Sequence, residues 1–183
     1  MLVRFGLPPN GVCTIANAAY HIGTINKGVI VKFQYLLPMA ALALGGTAQA
    51  QTVSATSPQG VVAALQNAGY KATLSKDSTG DPLINSSSGG SNFSVFFFGC
   101  TRNTDCRTVQ FFAGYTDRKV TLNMMNDWNS KKRFARAYMT DNGAARIEMD
   151  LDLDDGGMSA KLFEDNLEFW VAVMGAFEKH IGG

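Results

Sequence analysis

Val61, Val62, Leu65 and Ala68 fall on one stripe at helical spacing, with Ser57-Pro58 placed as an N-cap followed by proline in the first turn and Gly69 as the stop. The pattern predicts a first helix there, after a polar lead-in from Thr52. A short strand over 70–75 and a second, weaker one around 83–85 flank a turn at Gly80-Asp81-Pro82, and 86–91, with Gly89-Gly90, reads as a flexible connection. The clearest strands are 93–100 and 106–113, which together form a hairpin. Setting Cys100 opposite Cys106 pairs Phe97 with Val109, Val95 with Phe111 and Phe93 with Ala113 on one apolar face, while Phe96, Phe98 and Phe112 point the other way. Thr121 starts a second helix running to about residue 132, with Leu122, Met125 and either Trp128 or Asn129 turned inward. A strand over 133–139 turns at Asp141-Asn142-Gly143 into a return strand over 145–153. There Ile147, Met149, Leu151 and Leu153 alternate with outward Glu148, Asp150 and Asp152. Ser159 caps a last helix whose main stripe is Phe163, Leu167, Trp170, Met174, Phe177 and Ile181. Its second stripe, Leu162, Phe169 and Val173, widens the apolar face beyond what a sheet alone would cover. The order is α-β-β-β-(β)-α-β-β-α, with one weak strand, and no segment repeats.

The first fifty residues follow a different pattern. Lys32, an apolar run from Tyr35 to Leu44, and small residues ending Ala48-Gln49-Ala50 have the order and length of a signal peptide over 31–50 cleaved after Ala50. The run is too short to span a bilayer core of about 30 Å, so no membrane span is expected in the mature chain. Residues 1–30 carry no folding signal and read as an over-extended or unstructured start, with Val31 a candidate initiator through a GUG codon. This gives a leader, a linker over 51–56 and a domain over 57–183, with a periplasmic or secreted location.

Composition agrees with a single small domain. The chain has 183 residues, 46% hydrophobic and 17% charged, with a formal charge of +1. Removing 1–50 takes away Arg4, Lys27 and Lys32 but no acid, so the remainder is slightly acidic. No basic excess points to nucleic acid. Export also bears on the cysteines, because Cys13 leaves with the leader and Cys100 and Cys106 remain as an even pair across a five-residue polar turn. A disulfide is the expected state, worth about 2 kcal/mol by chain entropy. A redox or metal pair would call for Cys-x-x-Cys spacing or a neighbouring histidine.

The residues for catalysis are missing. Beyond the leader the only histidine is His180, which leaves a hydrolytic triad or histidine zinc site without partners, and neither a phosphate loop nor a dinucleotide fingerprint occurs. Asp150-x-Asp152-x-Asp154 begins like a calcium loop but has Asp155 where glycine is needed and Lys161 where glutamate is needed; the acids fit the solvent side of a strand. Lys131-Lys132-Arg133 with Arg136 forms a basic cluster that complements the end of the second helix. No enzyme activity, cofactor or metal is expected.

The segment Asn126-Asp127-Trp128-Asn129-Ser130-Lys131-Lys132-Arg133-Phe134-Ala135-Arg136-Ala137, the Glu148 to Leu153 strand and the later Phe169-Trp170 and Phe177 resemble the YbjN domain family of bacterial proteins. The likeness covers about 57–181. It implies a fold similar to type III secretion chaperones, α+β with helices on one face of a curved antiparallel sheet, in proteins described as sensory transduction regulators. Within the segment, Asn126, Trp128, Asn129, Arg133 and Phe134 also admit a purely structural reading, as a helix-to-strand corner.

Two functions follow as expectations. The first is an exported protein-interaction or chaperone-like regulatory module that presents a sheet face or helix groove to a protein partner or to its own copy. Phe96, Phe98 and Phe112 would form its patch. The alternative is a small-molecule sensor holding an apolar ligand between the sheet and the last helix.

Overall fold

The computed structural model describes residues 51–182; the expected leader, with Ala48 and Ala50, lies outside them. Helix α1 spans Pro58–Asn67, with the Ser57 hydroxyl accepting from Gly60 N and Val61, Val62 and Leu65 buried. An antiparallel meander follows: β2 (Lys71–Lys76), β3 (Pro82–Ser88), β4 (Ser91–Phe98) and β5 (Thr108–Tyr115). Helix α2 (Leu122–Lys131) then leads to β6 (Arg136–Met139), β7 (Ala145–Asp152) and the long helix α3 (Ala160–His180). The six strands form one antiparallel sheet in the order β2-β3-β4-β5-β7-β6, so β6 lies outside the strand that follows it. The domain is α+β as expected, with the helices packed on one face.

The register of the central hairpin is the expected one. Val95 opposes Phe111, Phe97 opposes Val109, and Phe98 opposes Thr108. The inward row of β7 then continues it, with Met149 against Phe111 and Leu151 against Val109. Trp170 of α3 stacks on Phe111 at 5.7 Å and meets Phe93 edge-on at 6.1 Å, while Phe163 lies 6.2 Å from Phe111. These rings pack the centre of the layer between the sheet and α3, and a cavity of about 750 Å³ remains at one end of it, lined by Tyr115 of β5 and by Val171 and Met174 of α3. Every residue of the main α3 stripe is buried.

Four details differ from the sequence reading. Residues 86–88 are strand, and only Gly89-Gly90 turns, both at positive φ. Serine has little strand preference of its own, but a full ladder to β4 overrides it. Leu122 is 62% exposed because it is the first helical residue and stands off the core-facing stripe. The strand after α2 begins at Arg136 instead of residue 133, since Phe134 sits at φ +73° and breaks the extended chain. Finally, the polar lead-in contains a strand. Thr52–Val53 (β1) pairs antiparallel with Met158–Ser159 (β8) beside the start of α3, and Val53 and Ala55 are buried. Two-residue strands are too short for any periodicity to reveal.

Candidate functional site

With the helices on one side, the other side of the sheet is where alternate residues of β3, β4, β5, β7 and β6 come together. Phe96 stacks with Phe98 at 6.4 Å and meets Phe112 edge-on at 5.4 Å, so the three expected residues form one contiguous patch. Phe98 is 45% exposed and the other two are partly buried by one another. Leu83 extends the patch from β3, opposite Phe96. The Arg146 guanidinium lies 5.0 Å above the Phe112 ring, a cation–π contact. It can lie flat there because residue 114 is glycine: a Cβ at Gly114 would stand 2.5 Å from Arg146 Nη1.

A charged network borders the patch. Arg136 stands directly opposite Glu148 in the ladder and donates to Glu148 Oε2 from Nε at 2.9 Å and from Nη2 at 2.6 Å. Tyr138 Oη donates to the other carboxylate oxygen at 2.6 Å. Hydrogen bonding to Glu148 raises the Arg136 pKa, whereas burial, followed by the same carboxylate, raises that of the Tyr138 phenol. Glu148, expected on the solvent side, does point that way but is buried at 6% exposure, since the side chains of Arg136 and Tyr138 use both of its oxygens. Gln110 Nε2 donates to Asp150 at 2.8 Å in the next row. The outward side of the sheet is therefore an aromatic patch with a fixed ionic border.

The hairpin loop at the end of the patch is closed by a disulfide between Cys100 and Cys106. Asn103 at its tip donates to Asp81 Oδ1 at 2.8 Å and to the Thr79 carbonyl at 3.2 Å, tying this loop to the β2–β3 turn. Both ties hold the backbone next to Phe98.

The Asn126 to Ala137 segment divides into two parts. Trp128 is buried against Phe177 at 5.1 Å, and its Nε1 donates to the Ala135 carbonyl at 3.3 Å. The Asn129 amide accepts from Ala137 N at 2.8 Å and donates to Ala137 O at 2.9 Å. These two residues fix the corner between α2 and β6. Asn126, Arg133 and Phe134 are exposed instead. A model of the YbjN family, described as "Putative bacterial sensory transduction regulator", matches residues 57–182. The chain belongs to the YbjN family. A comparison with curated proteins finds no match. The YbjN description assigns a regulatory role and not a reaction, and α1, α2 and α3 all lie within the matched region.

Other sequence candidates are engaged elsewhere in this YbjN domain. Within the basic cluster, Lys131 pairs with Asp127 at 2.6 Å, Lys132 lies over the Trp128 ring, and Arg136 is held by Glu148. His180 bonds the Met124 carbonyl through Nε2 at 2.8 Å, so its ring closes the α2–α3 contact. Among the described residues no helix is long and apolar enough to cross a membrane. Sequence reasoning missed Leu83, Arg146 and the Glu148 network because strand pairing beyond the central hairpin decides which side chains become neighbours.

Proposed function

We propose that this YbjN-family chain is an exported, non-enzymatic regulatory module that acts by binding a protein partner, in the manner of a chaperone or adaptor, through the uncovered face of its sheet. The supporting observation is the contact of Phe96, Phe98 and Phe112 on a side that no helix covers among the described residues. Apolar rings joined into one patch and bordered by charge are suited to a partner with an aromatic or aliphatic anchor and polar edges. Arg146 and the Glu148 network add direction, since charge around such a patch selects orientation more than it adds affinity.

Changing both Phe96 and Phe98 to serine is the direct test. Because neither side chain belongs to the core, the double variant is expected to fold with a loss of no more than about 1 kcal/mol. A photoreactive phenylalanine at position 98 should crosslink a discrete partner in cells, and the same label placed in a Phe96→Ser background should not. Cooperative unfolding of the double variant at room temperature would instead assign the rings to the core and end this reading.

Export has its own test, built on the disulfide. Protein recovered from the exported fraction should begin at Gln51 and be alkylated at Cys100 and Cys106 only after reduction. Reduction should lower its stability by about 2 kcal/mol. A full-length chain in the cytosol with both thiols freely alkylated would remove the periplasmic or secreted location from the proposal.

A further inference from the structure

The central hairpin is not closed along its whole length. Its paired ladder stops at Ser94 opposite Phe112, although β4 continues with β3 back to Ser91 and β5 continues with β7 to Tyr115. The Phe93–Ala113 pair that alternation predicts is absent from it, and the sheet divides between β4 and β5 at this end. A cavity of about 450 Å³ opens there, with Asn85, Asn92, Ser94, Phe112, Gly114 and Arg146 in its lining. The register puts these positions on the outward side of the sheet, with the aromatic patch.

The chemistry of the cavity is one-sided. No acidic residue lines it, and Arg146 is the one charged group among the lining residues. The Arg146 side chain is half-buried and has no ion-pair partner among the described residues. Glu148, the acid two residues along the same strand, does not serve, because Arg136 and Tyr138 hold both of its oxygens. Ser86 also borders the cavity; its hydroxyl is buried at 7% exposure and has no hydrogen-bond partner among the described residues. A guanidinium laid on a ring keeps its N–H edge for a planar acceptor, and a carboxylate matches that fork with two parallel bonds.

We propose that Arg146 receives a carboxylate side chain of the protein partner, one that lies two residues from an apolar residue seated on Phe96 and Phe112. The proposal rests on the sheet-face reading and adds the partner's chemistry to it. Phe112 belongs both to the patch and to the cavity, so the two are continuous. Phe112 and Gly114 are two residues apart on β5, about 7 Å along an extended strand, and an extended partner chain has the same repeat. Such a chain laid along β5 brings one side chain to the rings and the side chain two positions on to the guanidinium. The surface thus selects a motif of the form apolar-x-acidic.

Nuclear magnetic resonance titration of the full chain with the blocked peptide acetyl-Thr-Phe-Thr-Glu-Thr-amide, and with its glutamine counterpart, tests this. The glutamate peptide should shift the Gly114 amide and Arg146 Nε–H signals, and should bind about tenfold more tightly than the glutamine peptide. Arg146→Gln should erase that preference and leave the melting temperature unchanged. Gly114→Ala keeps the charge but pushes the guanidinium off Phe112, and should reduce the preference as well. Phe96→Ser with Phe98→Ser should weaken both peptides while the preference for glutamate persists, which separates the carboxylate site from the rings beside it. In cells, Arg146→Gln should lower the crosslinking yield from the photoreactive residue at position 98 several-fold, and the crosslinked partner segment should carry the apolar-x-acidic motif. Three results would overturn the carboxylate site and leave the aromatic patch standing: equal binding of the two peptides, a glutamate preference that survives Arg146→Gln, or inorganic phosphate giving the same shifts at lower concentration than the peptide. A glutamate preference that depends on Arg146, with no crosslink at position 98, would uphold the carboxylate site and overturn the sheet-face reading that gives it a protein source.

Discussion

Trp128→Ala should cost the domain about 4 kcal/mol, enough to leave a domain of ordinary stability near its unfolding threshold. The indole is 1% exposed and fills the junction of α2, α3 and the chain entering β6. Truncation removes the edge-on contact with Phe177 and the packing under His180, and it leaves the Ala135 carbonyl without its donor. Little can collapse into the cavity, since α2 is anchored at both ends: Thr121 caps it, and Asn129 holds Ala137 from its last turn. Urea unfolding followed by far-ultraviolet circular dichroism would measure the loss. A midpoint shift worth less than about 1 kcal/mol would mean that the junction is far looser than the geometry indicates.

Gly157→Ala should be nearly as damaging, at about 3 kcal/mol, although it adds a single methyl group. Gly157 has φ +78°, and a Cβ there would run into the Val53 carbonyl oxygen and stand 2.9 Å from its carbon. Both partners are backbone, so no side-chain rotation relieves the overlap. The chain can escape only by separating β1 from β8, which exposes Val53 and Ala55 and breaks the hydrogen bond from Ala160 N to Gln51 O at 2.8 Å. Because that unzipping is local, the loss should appear first as faster hydrogen exchange at Val53 and the start of α3, and only partly as a lower melting temperature. Unchanged exchange there would show that the ribbon tolerates the methyl group.

Long periodic segments were legible in the sequence. The α3 stripe was clear because six large residues repeat over many turns, and the central hairpin register was fixed by the two cysteines together with strict alternation on both strands. Loss of legibility followed physical causes. β1 and β8 depend on each other and on Gly157, and neither segment carries a signal alone. The serine-rich end of β3 becomes strand through its neighbour and not through its own preference. Glu148 kept its outward direction, yet its burial depends on which residues of β6 lie alongside, and that depends on β6 being placed outside β7. Phe134 was part of a recognisable family segment, but its left-handed backbone and its distant stacking partner Phe169 are properties of the assembled corner. Of the candidate site, the three phenylalanines were legible from alternation; Leu83 and Arg146 were not.

The grip of Asn129 on Ala137 also determines how such sheets can join. Its side-chain amide occupies both the N–H and the carbonyl of the middle of β6, as a neighbouring strand would, so an incoming strand finds no free ladder at that border. At the opposite border, β2, Gln66 Nε2 donates to the Ala72 carbonyl at 3.2 Å, which engages that acceptor but not the N–H beside it, and Lys71 and Lys76 stand at the strand's ends. Growth of a fibre by edge-to-edge addition needs two open borders on every subunit. With one closed, strand addition between copies ends at a single β2-to-β2 pair.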